Sequence, residues 1–182
     1  MALNLEQGPG FWFRIDRFVA RVGRALAWLN VVLIADIIFQ VVLRYGFGRG
    51  LVVLEETQWH LYGVVIMFSI SFAVVEDSHI RLDVASRKFS PRVQGVIEFL
   101  GILLLLLPFV TVLLIHSLDF TYESWRIGES SESPLGLPWR WAIKSVIPLS
   151  LLLLWLVSAS RLVKVSAFLF RKGPAGGTHG RP

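Results

Sequence analysis

The sequence predicts an all-α integral membrane protein, with four transmembrane helices and an N-terminal amphipathic helix lying at the membrane interface. Three observations lead there. Of 182 residues, 54% are hydrophobic and only 17% are charged, against roughly 25% charged in a soluble domain. The mean hydropathy is +0.63. The apolar residues gather in four runs, each near the ~20 residues a helix needs to cross a bilayer core. Basic residues fall unevenly between the connections, as the positive-inside rule requires of a multi-span protein.

The same numbers exclude several classes. A disordered chain needs far less apolar material. With no cysteine, a disulfide scaffold, a thiol enzyme and a Cys-ligated zinc site are all ruled out. The net charge is only +5, scattered between apolar blocks, so no nucleic-acid partner is expected despite a high isoelectric point.

Residues 1–24 form a cytoplasmic N-terminus. Within it Phe11, Trp12, Ile15, Phe18, Val19 and Val22 recur at roughly helical spacing beside Arg14, Arg17, Arg21 and Arg24. An aromatic stripe beside an arginine stripe is the pattern of a helix lying in the headgroup layer. Residues 25–160 form the membrane domain, with spans at about 25–43, 57–75, 93–115 and 141–160. The first run is too long for a secretion-signal core of ~7–15 residues, and Arg44-Tyr45-Gly46 follows it rather than a small-residue cleavage site, so it reads as uncleaved. The runs lack the alternation of barrel strands, and the stretch Gly101 to Val110 has no polar face at all. Helices are required, because only they satisfy every backbone group internally in hydrocarbon. Pro108 and Pro148 lie inside spans and should produce local kinks, not helix ends. Residues 161–182 form a basic cytoplasmic tail with a Gly-rich, disordered end.

Thirteen of the 18 basic residues precede the first span, lie in the second connection or follow the fourth span. Arg44, Arg49, Arg126, Arg140 and Lys144 make up the rest. Both termini should therefore face the cytoplasm.

Polar groups inside spans cost at least ~2.5–3.5 kcal/mol for a charge at the centre, which makes them the most informative residues. Asp36, Gln40 and Arg44 are spaced i, i+4, i+8 and share one helix face. Lys144 lies on the same outer side, and a polar seam joining the first and fourth helices would fit. Asp36 is either a proton or ion site or a buried contact that fixes packing within the bundle or against another subunit. The second is expected, because no other carboxylate lies at its depth. Glu98 could pair with Arg92 or an inner-loop cation. Glu55 and Glu56 precede the second helix and complement its dipole. His60 and His116 lie at similar depth, where two imidazoles could ligate a haem; interfacial hydrogen bonding is the commoner fate of such residues. Nothing matches a nucleophile elbow, a P-loop, a dinucleotide fingerprint or HExxH, and neither catalytic residues nor a metal site are expected. A stand-alone channel would need a ring of pore-lining polar residues, and Asp36 with Gln40 is a thin supply.

Four blocks then carry a family resemblance: Gln40-Val41-Val42-Leu43-Arg44-Tyr45; Glu55-Glu56 leading into Trp59; His79-Ile80-Arg81-Leu82-Asp83; and Leu137-Pro138-Trp139 with Lys144 and Pro148. In this order across four spans, over residues 20–165, they resemble the DctQ-type small permease subunits of tripartite ATP-independent periplasmic (TRAP) transporters. The segment Glu129 to Lys144 looks most like the branch labelled mannitol/chloroaromatic compound transporters. The resemblance implies a system of three parts. A periplasmic binding protein (DctP-like) captures an organic anion. A large membrane subunit (DctM-like) carries the substrate and sodium sites and moves as an elevator. The small subunit steadies that elevator's scaffold and binds no cofactor of its own. The candidate subunit-interface or packing residues are Asp36, Gln40, Arg44, Glu56, Trp59, His79, Arg81, Asp83, Glu98 and Lys144. A haem-bearing anchor of a respiratory oxidoreductase is the alternative.

Overall fold

The computed structural model describes residues 10–75, 90–133 and 135–170. Among them the chain is helical almost throughout, with no strand. In order come α1 (Gly10–Ala27), α2 (Leu29–Gly46), α3 (Val52–Val75), α4 (Pro91–Leu100), a π-helical run (Gly101–Leu106), α5 (Leu107–Arg126), α6 (Arg140–Lys144) and α7 (Val146–Phe170). These join into four helical stretches long and apolar enough to cross a membrane: Phe11–Gly46, Val52–Val75, Pro91–Arg126 and Arg140–Phe170.

Each boundary has a local cause. Pro91 occupies the first turn of α4, where its missing N–H would have had no helical partner anyway. At the end of α2, Gly48 takes φ +65°, and the N–H groups of Phe47 and Arg49 both finish on the Leu43 carbonyl, at 3.2 and 3.1 Å. At the end of α5, Gly128 takes φ +62°. There the Gly128 N–H reaches Trp125 O at 3.1 Å and the Glu129 N–H reaches Ser124 O at 3.0 Å, the paired bonds of a Schellman stop.

The helices overrun the apolar runs. The third span, expected at 93–115, continues to Arg126, and the fourth, expected at 141–160, continues to Phe170. A helix in progress gains one hydrogen bond per added residue, so it has no reason to stop where hydropathy falls. Glu55 and Glu56, expected ahead of the second span, lie inside the first turns of α3 for the same reason.

Both prolines disturb their helix locally without ending it. Before Pro108 the backbone widens into the π-helical run, whose following Leu107 N–H bonds back to Ile102 O. A proline ring crowds the carbonyl four residues earlier, and the widened turn absorbs that crowding without ending the helix, as expected. At Pro148 the helix is likewise disturbed without ending: Ser145 is a turn residue with helical dihedrals, φ −64° and ψ −19°, and α6 and α7 run on as one stretch, Arg140–Phe170. Having no N–H, Pro148 leaves the Lys144 carbonyl free, and that carbonyl accepts the Thr121 hydroxyl of α5 at 3.2 Å.

α7 is the hub, packing against α1, α3, α4 and α5. Of its most apolar window 39% is buried within the chain, against 11% for each other stretch. Its apolar core residues Leu151, Leu154 and Val157 close on Val19 of α1, Val74 of α3 and Val110 of α5. Between the core residues are Ser150, Ser158 and Ser160, all fully buried, with Ser71 of α3 opposite. Small residues let helices approach where lipid supplies no hydrophobic drive. The Ser71 hydroxyl donates to Ser150 O at 3.1 Å, and the Trp155 indole donates to the Thr111 hydroxyl at 3.1 Å, so α7 is bonded as well as packed to two neighbours.

α1 is amphipathic, as expected, but one face lies on the bundle rather than only on a surface. Val19 and Ala20 are buried. A Cβ added to Gly23 would meet the Phe72 side chain of α3 at 2.5 to 2.8 Å, so glycine is what permits this approach. The four arginines point the other way and are exposed.

Candidate functional site

The ion pairs of the described residues collect at the bundle's two ends. One end, the loop end, holds residues 47–51 and the 127–139 connection; the other holds the start of α1, the start of α4 and the end of α7.

At the loop end, Glu55 of α3 is a hub for α2. It accepts from the Arg44 guanidinium at 2.8 Å and from the Gln40 amide at 3.2 Å. The same amide lies 3.4 Å from Leu51 O. One residue on, Glu56 does different work. It accepts the Ser131 hydroxyl and, at 2.6 Å, the Leu137 N–H. A carboxylate on α3 therefore clamps both flanks of the 131–137 turn. That turn is also tied internally, Ser131 N–H to Leu137 O at 3.2 Å and Gly136 N–H to Ser133 O at 2.9 Å. A side chain on Gly136 would collide with Ser131 and Glu56. Beyond it Trp139 takes the left-handed conformation, φ 62°, which is uncommon for a bulky residue.

Lys144 reaches Glu129 of the same connection and lies 4.0 Å from the centre of the Phe120 ring. The Lys144 ammonium holds the Glu129 carboxyl below the usual carboxylate range. Arg140 adds a longer pair with exposed Glu132, at 3.7 Å, and its N–H closes the loop on Glu129 O at 3.0 Å.

At the opposite end, Asp16 of α1 receives the Lys164 ammonium and the Ser160 hydroxyl at 2.9 Å. Lys164 also lies 4.6 Å from the Phe13 ring centre. Glu98 of α4 receives Arg161 of α7. Both pairs are mostly buried, with side-chain exposures of 10–20%, so each pins a helix to α7 by charge.

The expected site residues divide accordingly. Gln40, Arg44 and Glu56 meet loop-end partners. The expected seam joining the first and fourth helices does not form: Gln40 and Arg44 turn to Glu55 of α3, while Lys144 turns to Glu129. α2 packs against α3 and α1, which puts Glu55 and not Lys144 within reach. Glu98 pairs with Arg161, not Arg92, because α4 lies against α7. Asp36 has a buried Oδ2 without a hydrogen-bond partner, and buried unpaired atoms recur at Gln40 Oε1 and Gln58 Nε2. Trp59 is 72% exposed, as an interfacial anchor would be. His79, Arg81 and Asp83 lie outside the described residues, as does the end of the basic tail.

Sequence reasoning missed Asp16, Lys164, Arg161, Glu129 and Ser131 as contacts, and gave Glu55 only a dipole role. A signal existed for Asp16: it is the one acid among four arginines, at a helix position that turns it from their stripe. Nothing local marks Lys164 as its partner, nearly 150 residues away.

Among the described residues no three His, Asp or Glu side chains gather to hold a cation. What the fold defines is a four-span helical membrane protein whose charges lock helices together at the two rims. The chain belongs to the DctQ family, described as the DctQ component of tripartite ATP-independent periplasmic transporters, whose sequence model matches residues 33–167. That range runs from α2 almost to the end of α7. A relative described as a TRAP transporter small permease protein, from Haemophilus influenzae, is 25% identical over 158 residues, covering 86% of this chain and 95% of its own length. The family is a transporter component, not an enzyme. A small permease of a tripartite system operates with a large membrane partner and a binding protein. The haem-anchor alternative is not favoured.

Proposed function

We propose that this chain is the membrane scaffold of a TRAP transporter, steadying a DctM-like large subunit during sodium-coupled uptake of an organic anion delivered by a DctP-like periplasmic binding protein. The observation that carries this reading is the family match across the whole bundle from α2 to α7, combined with where its charges lie. Mid-span polar groups are few, and no pair of broken half-helices of the kind that builds a transport site occurs among the described residues. The sodium and substrate sites belong to the large partner.

The basic residues support an inner-membrane orientation with both termini in the cytoplasm and the loop end in the periplasm. There the 127–139 connection, clamped by Glu56, is presented toward an incoming binding protein. The segment Glu129 to Lys144 resembles the mannitol/chloroaromatic branch, and a carboxylate-bearing substrate fits that resemblance. Arg14, Arg17, Arg21 and Arg24 would meet anionic headgroups on the cytoplasmic face.

Co-expression with the neighbouring large-subunit and binding-protein genes tests the reading. The three-part system reconstituted in vesicles should accumulate a labelled organic anion only with an inward sodium gradient. Omitting this chain should lower initial uptake at least tenfold. Full uptake without it, or failure of the tagged chain to retain a large membrane protein in mild detergent, would refute the proposal.

A further inference from the structure

Three buried polar atoms of the α2–α3 hairpin have no hydrogen-bond partner among the described residues: Asp36 Oδ2 and Gln40 Oε1 of α2, and Gln58 Nε2 of α3. Two are acceptors and one is a donor. A buried polar group left unmet is costly, and three in one helix pair call for a common partner. Gln40 is only 6% exposed. Its Nε2 is committed to Glu55 at 3.2 Å, with Leu51 O at 3.4 Å. The amide is planar, so its Oε1 is turned away from both.

The register of the hairpin sets these atoms at one level. α2 and α3 run antiparallel through residues 47–51, and the contacts of Gln40 and Arg44 with Glu55 fix their alignment. One turn deeper on α2, Asp36 stands four residues from Gln40, on the covered stripe of Leu29, Leu33, Asp36, Gln40 and Leu43. One turn deeper on α3, Gln58 stands three residues from Glu55, beside it on the side turned to α2. Residues four apart on a helix have Cβ atoms about 5–6 Å apart, and two hydrogen bonds of about 2.8 Å laid end to end span that gap. A water has the matching complement: it donates to both acceptors and accepts from the amide. Internal waters typically make about three such bonds. A hard cation suits the set less well, because it takes oxygen ligands and Gln58 presents an N–H.

We propose that Asp36 Oδ2, Gln40 Oε1 and Gln58 Nε2 bind one internal water, which fastens α2 to α3 a turn deeper in the membrane than the Glu55 cluster does. Asp36 is then served within its own chain. The site does not depend on the transport reading.

The test is a high-resolution electron cryo-microscopy map of the full chain in lipid nanodiscs, held by an antibody fragment. One density peak should lie within about 3.2 Å of all three atoms, and it should persist when sodium salts are replaced by choline salts. A direct Asp36–Gln58 hydrogen bond with no peak between them would overturn the site, as would three atoms too far apart to share a partner. A peak lost on removing sodium would overturn the water in favour of a cation. Gln58→Met keeps the volume and removes the donor; it should abolish the peak while Gln40 stays on Glu55. A peak that survives this change would overturn the three-point assignment. Gln58→Met should also lower the thermal midpoint, and adding Asp36→Leu to it should change the midpoint by less than the sum of the two single effects. Strict additivity would show that the two side chains share no partner. Should Gln58→Met fail to fold, the wild-type map decides alone.

Discussion

Asp16 shows how one side chain can locate a whole helix. It is the acid within an arginine-rich segment, yet it points to α7, where Lys164 and Ser160 close on it. Removing one partner of a mostly buried pair leaves the other charge stranded, at a cost of about 3 kcal/mol. Asp16→Leu should therefore lower the thermal midpoint of the detergent-solubilised chain by several degrees. Arg17→Leu, on the exposed stripe, should leave it within experimental scatter. Equal effects of the two would show that α1 is not held by this pair. Glu98 and Arg161 provide a parallel case on α4. Arg44 and Glu55 differ: with side chains 59% and 42% exposed, they should contribute only about 0–1 kcal/mol, and their role is orientation of α2.

Among the elements, two close approaches set the packing. α1 reaches α3 at Gly23, where any side chain meets the Phe72 ring. Overpacking of this kind costs about 1–3 kcal/mol. Gly23→Ala should destabilise the bundle accordingly, and Phe72→Leu in the same chain should recover part of the loss by clearing space. Absence of any recovery would mean that the clash lies elsewhere. The 127–139 connection is the other element with a sharp prediction. Glu129 has a carboxyl lowered by the Lys144 ammonium, so the folded loop binds its proton less readily than the unfolded chain does. Its contribution is complete above the ordinary carboxylate value of about 4.3 and is lost as pH falls through the lowered one. Fluorescence of exposed Trp139 should stay constant from pH 8 to 5 and change below about pH 4.3. In Glu129→Gln the acid-side change should shrink, and an unaltered profile would remove Glu129 from the account.

On the scale of the whole molecule, hydrocarbon is the solvent, and that is why so much was legible in advance. Four helices, their approximate positions and the amphipathic start follow from run length and from the need to satisfy every backbone group without water. Gln40, Arg44, Glu98 and Lys144 stood out because charge and amide groups are costly in or beside a span, and Glu56 as an acid at a helix start. Their partners did not stand out. Glu55 pairs with α2 and not with its own helix dipole alone; Lys144 closes on Glu129; Glu98 meets Arg161. Each pairing depends on which helix lies beside which, and hydropathy is blind to neighbours, since every span is equally greasy on its outer face. The partner of the Lys144 carbonyl that Pro148 frees was hidden likewise, because Thr121 takes it up only once α5 lies alongside. Membrane residence, span number and the sign of each rim are thus written in local composition. The hub position of α7, the docking of α1 and the solitude of Asp36 arise from contacts between residues far apart in the chain, whose energies no local pattern encodes.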